Sequence, residues 1–208
     1  LQVSAPNIRL ATIAAADDPF TPLAGGELDF VLHAERRSYP HDFNVTTLGY
    51  ASPVLIAREG HPLAGKSPTW EEIEQYPHVQ LIIPELREIR FEGQEESDFL
   101  KRESTVVPIL RTDHLYTAVQ VVRQTDCLFP APPLFMEQDD LAKDLVAIPL
   151  PGGEELTIKY VLVTHERILH SAAHEFMRGE IMSLIEEFRA RYGLPCLDEL
   201  QAKRNLSV

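Results

Sequence analysis

The chain has 208 residues, 44% of them apolar, enough for a substantial core, and no apolar run near the ~18 residues that a membrane-spanning helix needs. Lys and Arg number 19 against 32 Asp and Glu, a net charge of −13, so the surface repels phosphate backbones and anionic membranes and the chain by itself is a poor nucleic-acid binder. The opening LQVSAPNIRL lacks the basic-then-apolar pattern of a signal peptide, and Cys127 and Cys196 fit no metal or redox spacing, so free thiols in a reducing, cytoplasmic compartment are expected, with a single disulfide as the alternative.

Strand and helix signals alternate from end to end, with no internal repeat, which makes the class α/β. Residues 7–14 (NIRLATIA) read as a strand. Asp17 and Asp18 before Pro19 mark a helix start, and Gly25-Gly26 ends that short helix before a strand at 29–34 (DFVLHA). Further strands are predicted at 43–48 and 53–58. Thr69-Trp70-Glu71-Glu72 is a capping box, and Pro77 stops its helix. VQLII at 79–83 reads as a central strand buried on both faces.

The charged stretch 85–103 suggests a helix only near 95–101. A strand is predicted at 106–110, then a helix that Asp113 can cap, with Leu115, Ala118, Val119 and Val122 on one face. A short strand at 127–130 leads into a helical segment at Pro132-Pro133. Strands follow at 146–150 and 156–164. Ser171 opens a last long helix with Met177, Ile181, Leu184, Ile185 and Phe188 in one stripe, which Gly193 and Pro195 end.

Chemistry-bearing motifs are sparse. His165, His170 and His174 lack the Cys, Asp or Glu that would complete a metal-ligand spacing, and surface or capping roles explain them. No serine sits in a G-x-S-x-G elbow, and the Gly-Gly pairs read as turns rather than phosphate loops. Asp17 and Asp18 are explained by helix capping before acid–base catalysis. No cofactor or metal is implied, and the enzyme reading has little support. A binding reading does better, because His33 and Ala34, Thr112, Asp113 and His114, and Phe129 and Pro130 all fall at strand ends, where an α/β cleft is lined.

LAGGELDFVL followed by SPVLIAREGHPLAGKSPTWEEIEQYPHV resembles the effector-binding domain of LysR-type transcriptional regulators, as do VVRQTDCLFPAP, LVAIPLP and YVLVTHERILHSAAHEFMRGEI further on. The likeness covers roughly residues 5–190, and the VRQTD and THERILHSAAHEFMR stretches look closest to the branch of nodulation, LeuO-like and aromatic-catabolism regulators. The resemblance implies a type 2 periplasmic-binding-protein-like fold: two α/β lobes joined by two crossing strands, near 49–56 and 157–162. Residues 1–49 and 157–194 would form one lobe and 50–156 the other, with 195–208 a tail.

A small effector, partly aromatic or polar, would sit between the lobes. The matching positions are Asp17, Asp18, His33 and Ala34 from the first lobe, and Pro84, Glu85, Thr112, Asp113, His114, Phe129 and Pro130 from the second, His114 foremost. Glu35 would face or border the same cleft.

The family's N-terminal winged helix-turn-helix has no counterpart here, and LQVSAPNIRL matches the end of the first effector-domain helix, so DNA contact is expected only through that further domain. Thr164 stands where the branch often has Trp. Self-association into a dimer or tetramer is implied, with residues 7–14 and the helix at 113–124 as candidate surfaces. An extracytoplasmic solute-binding protein of similar fold, or less readily an enzyme on a two-lobed scaffold, remains the alternative.

Overall fold

The computed structural model describes residues 5–13, 18–82, 91–92, 107–137, 139–152 and 156–191. Two sheets organise them. In the first, β9 (Thr157–His165) is central, with β1 (Val31–Ala34) and β2 (Phe43–Ala51) antiparallel on either side. The two-residue β5 (Phe91–Glu92) continues beside β9 past the end of β1.

In the second, β3 (Val54–Arg58) runs antiparallel between β7 (Phe129–Ala131) and β8 (Leu145–Pro149). The parallel pair β4 (Val79–Leu81) and β6 (Leu110–Thr112) extends it. The link is a parallel bridge between His78 and Leu128, with Val79 N–H donating to Leu128 O at 2.9 Å.

β9 is the one long strand whose interior is apolar in both alternating sets. Val161 and Val163 pack with Phe20, Leu23 and Val31 beneath the short helix α1 (Phe20–Gly25), while Leu162 and Thr164 on the opposite face are also buried. On the second sheet the capping box of α2 (Trp70–Ile73) forms as expected: Glu72 N–H donates to Thr69 Oγ1 at 3.3 Å and Thr69 N–H to Glu72 Oε2 at 2.8 Å. Helix α3 (Leu115–Gln124) lays Ala118, Val119 and Val122, all 0% exposed, against Ile56, Val79 and Phe129. α4 (Asp139–Ala142) is one turn, and α5 (Ala172–Arg191) closes the described chain. Arg189 of α5 is buried and donates from Nη1 to Leu48 O at 3.1 Å, at the point where the β2–β9 register shifts.

Several expectations need correction. Residues 7–13 form no strand. A strand needs a ladder partner, none pairs with them among the described residues, and Leu10 and Ile13 stay exposed. The strand predicted at 106–110 is displaced to Leu110–Thr112, because pairing with Val79–Leu81 sets the register and leaves Val107 and Ile109 in solvent. Asp113 does not cap α3. His114 occupies the N-cap, without a side-chain cap bond, and Thr112 Oγ1 accepts from His114 N–H at 3.0 Å. Leu184 of the long helix is exposed rather than part of its buried stripe. The helix expected at 95–101, Cys196 and the tail lie outside the described residues. Cys127 is a buried free thiol.

Burial lowers the pKa of two imidazoles in the second sheet below the ordinary 6.5, and for both His61 and His78 desolvation is the largest cause. His61 is held neutral between Leu63 N–H, which donates to its Nδ1 at 3.1 Å, and Asp126 O, 3.3 Å from its Nε2. As pH falls through 6.5 the unfolded chain takes up these protons before the folded one does. Their contribution to stability is therefore complete above 6.5 and declines as pH drops toward the lowered folded values. Urea midpoints measured from about pH 7.5 to about pH 5 should fall on the acid side. A His61→Gln/His78→Gln variant, less stable at the start, should show a shallower fall.

Candidate functional site

Strand direction decides which ends of the two sheets face the chain crossings. β4 and β6 are parallel, and the His78–Leu128 bridge makes β7 parallel to them, so the carboxyl ends of all three share one edge. At that edge Ile82 N–H donates to Thr112 O at 2.8 Å. Ala131 at the end of β7 lies opposite Val54, and Pro149 at the end of β8 lies on the other side of Val54.

Apart from the excursion to β5 in the first sheet, the chain enters the second sheet through residues 52–53 and leaves it after Pro149, both along this single edge. In the first sheet the same connections attach where Ala51 pairs with Ile158 and Tyr50 with Lys159. Ala34 pairs with Tyr160 one step away, and Glu35 N–H donates to Lys159 O at 2.7 Å. The end of the first sheet carrying Ala34 and Glu35 is thus tied, through both crossings, to the carboxyl edge of the second. In open α/β folds such edges are where ligands lie.

On the first-sheet side, Phe20 is the hub. His33, Tyr39 and Phe43 each meet its ring edge-on with centroids 5.8 Å apart, and the Arg36 guanidinium stacks 4.7 Å from its centroid. Arg36 N–H donates to Tyr39 Oη at 2.9 Å. Asp18 takes the capping role: its Oδ1 accepts from Phe20 N–H at 2.9 Å and Thr21 N–H at 3.3 Å, and its Oδ2 from the Thr21 hydroxyl at 2.5 Å. The Thr21 hydroxyl is the first cause holding its carboxyl below the ordinary range, with Phe20 N–H next and Arg36 a smaller contributor.

His33 Nδ1 contacts Ala34 O. Glu35 and Lys159 form an ion pair at 2.6 Å. Burial raises the phenols of Tyr39 and Tyr160, the latter to about 12. Asp17 lies outside the described residues.

On the second-sheet side, Thr112, Asp113 and His114 form the turn from β6 into α3, with Asp113 and His114 exposed. Pro130 is half-buried opposite Leu55. Phe129 is different: it is 1% exposed, edge-on to Phe135 at 6.3 Å, and its ring belongs to the core. Its backbone is enclosed as well, paired with Ile56 of β3, so Phe129 offers no surface to a ligand. Pro84 and Glu85 lie outside the described residues.

The sequence expectations omitted Arg36, Tyr39 and Lys159. The available signal was alternation in TIKYVLVTH, which puts a lysine in line with Val161 and Val163 on a face that is otherwise apolar.

The GELD turn is built, not ligand-facing. Arg167 donates from Nη2 to Leu28 O at 2.8 Å and to Leu23 O at 3.3 Å, and its guanidinium lies 3.6 Å from Asp29. His174 Nε2 lies 3.0 Å from the same Asp29 oxygen, and its Nδ1 lies 2.6 Å from Ser171 Oγ. Gly26 sits at φ +86°, where a side chain would be strained and its Cβ would come 3.2 Å from that guanidinium. His165 Nδ1 accepts from Arg167 N–H at 3.1 Å, so His165 and His174 both serve local turn and cap geometry. No group of His, Cys, Asp or Glu among the described residues is arranged to hold a metal ion, and no described helix is long and apolar enough to cross a membrane.

A family model described as the LysR substrate binding domain matches residues 1–182. Solved structures agree in fold. A probable transcriptional regulator of Pseudomonas aeruginosa, PA0477, is 23% identical with a TM-score of 0.62 over 86% of this chain, which spans only 58% of that longer one. The regulatory domain of MetR, a LysR family regulator from N. meningitidis, is 16% identical with a TM-score of 0.59, covering 91% of this chain and 84% of that one. The effector binding domain of a BenM variant is 14% identical with a TM-score of 0.60, covering 93% and 87%. No curated protein sequence matches the chain.

Core and rim positions should separate cleanly under substitution. Phe129→Ala removes a fully buried ring and should cost about 3–5 kcal/mol in urea denaturation. His114→Ala, at an exposed turn with no side-chain cap bond, should stay within about 0.5 kcal/mol.

Proposed function

The chain belongs to the LysR substrate binding domain family, and from that premise we propose that it senses a small molecule held between its two sheets, each the centre of one lobe of a type 2 periplasmic-binding-protein-like fold. One lobe takes residues 1–49 and 157–194, the other 50–156 apart from β5, which pairs with β9 of the first sheet. The observation that carries this reading is the convergence of both chain connections on one pair of edges: the Tyr50–Ala51/Ile158–Lys159 end of the first sheet and the carboxyl edge of the second. Asp18, His33, Ala34 and Glu35 supply the first wall. Thr112, Asp113, His114 and Pro130 supply the second.

In the whole regulator, effector binding favours one lobe arrangement over another by as much as its affinity differs between them. Paired or tetrameric copies would pass that shift to winged-helix domains on the same polypeptide. A body of net charge −13 suits this division, since the phosphate contacts then lie elsewhere. The branch of nodulation, LeuO-like and aromatic-catabolism regulators is the one we favour. Asp18 and Asp113 make the rim acidic, Arg36 offsets this on the first wall and Lys159 is matched by Glu35, which suits a polar or partly aromatic effector.

Calorimetric titration with a panel of aromatic and polar metabolites tests the reading. The effector found should bind His114→Ala at least about tenfold more weakly, a loss of ~1.4 kcal/mol, at unchanged urea midpoint. Equal affinity for both proteins would remove His114 from the site.

A further inference from the structure

The α1-facing side of the first sheet is apolar until its last row. Along β9, Val163, Val161 and Lys159 share that face, and along β1 and its continuation so do Val31, His33 and Glu35. Val31, Val161 and Val163 lie in the core with Phe20 and Leu23. The row nearest the crossings is charged instead: Lys159 Nζ stands 2.6 Å from Glu35 Oε1, with side chains only 20% and 12% exposed.

Glu35 Oε2 is buried and accepts no hydrogen bond among the described residues. Buried polar atoms almost always have a partner, and a largely buried ion pair gives a fold little that apolar side chains of the same size would not. An ion pair with one oxygen left over, standing at the edge from which the chain crosses to the second sheet, one row from His33 and near Tyr39, therefore calls for a reason other than stability.

We propose that Lys159 and Glu35 form the polar floor of the effector site, and that the effector carries a hydroxyl or amino group that donates to Glu35 Oε2; this rests on the effector-binding reading above. Lys159 holds Oε1 and fixes the carboxylate, and Oε2 is the free acceptor. A methyl ether, or a dialkylaniline unprotonated at neutral pH, has no hydrogen to give at that point and leaves the oxygen unsatisfied, which is the kind of loss that separates close analogues strongly.

Catechol and aniline, each against its methylated counterpart (1,2-dimethoxybenzene and N,N-dimethylaniline), are suitable probes. They would be titrated into the 15N-labelled chain while the amides of Glu35, Lys159, Thr112 and His114 are followed. At least one hydrogen-bearing probe should shift the Glu35 and Lys159 amides and bind at least about tenfold tighter than its methylated counterpart. Glu35→Gln, which puts an amide donor where Oε2 stood, should abolish or reverse that preference.

Equal binding of the methylated probes, a preference that survives Glu35→Gln, or no shift at Glu35 and Lys159 would overturn the inference. Shifts at Thr112 and His114 in those spectra would leave the effector reading standing, whereas shifts confined to residues away from both sheet edges would sink both. A Glu35→Leu/Lys159→Met variant should lose the probe preference while keeping or raising Tm by a few degrees. A Tm lower by more than about 5 °C would mark the pair as structural and contradict the proposal.

Discussion

The register of β9 is the constraint on which the rest of the structure depends. Val161, Leu162 and Val163 are each fully buried, so consecutive residues on both faces are committed to packing. β1, β2 and β5 all hydrogen-bond to this one strand. A slip of one residue would exchange the faces, drive Lys159 and Tyr160 into each other's environments and uncouple the Phe20 cluster from Val161 and Val163. Because the slip costs so much, the positions of Glu35, Lys159, Tyr50 and Ala51 relative to one another are set to within a residue.

That precision has a functional consequence. β9 begins where the chain returns from the second sheet, and Ala51 of β2, where the chain departs for it, pairs with Ile158. Both crossings are thus held side by side in a short antiparallel ladder, with Ala34 and Glu35 at the end of β1 one or two residues away. Arg189 of α5 adds a further tie at the register shift, bonding the Leu48 carbonyl while its guanidinium approaches Gly49. A molecule bound at this edge would lie beside both connections, as the proposed sensing role requires.

The parts legible in the sequence were those with local causes. The Thr69–Glu72 capping box, the Ala118–Val119–Val122 stripe and the continuous apolar core of β3 each announce themselves within a few residues. What the sequence hid was set by distant partners. Residues 7–13 have strand-forming composition but no ladder to join among the described residues, and β6 starts late because β4 dictates its register. Phe129 looks like a strand-end ligand contact until Ile56 and Phe135 enclose it. Asp29, the most conspicuous residue of GELDF, is held by Arg167 and His174, from 138 and 145 residues further along. In the candidate site, the strand-end place of His33 and the helix-start place of Asp18 were legible, whereas Lys159 emerges only when β9 is aligned against β1.

Hydrogen–deuterium exchange of the chain, with and without a small-molecule extract of bacterial cells, tests the central claim most directly. If a small molecule is held between the two sheets, protection should rise together at residues 33–36 and 158–160 on one side and at 112–115 on the other, with the outer face of α5 unchanged. Protection that appears on one sheet alone, or only on α5, would contradict the account.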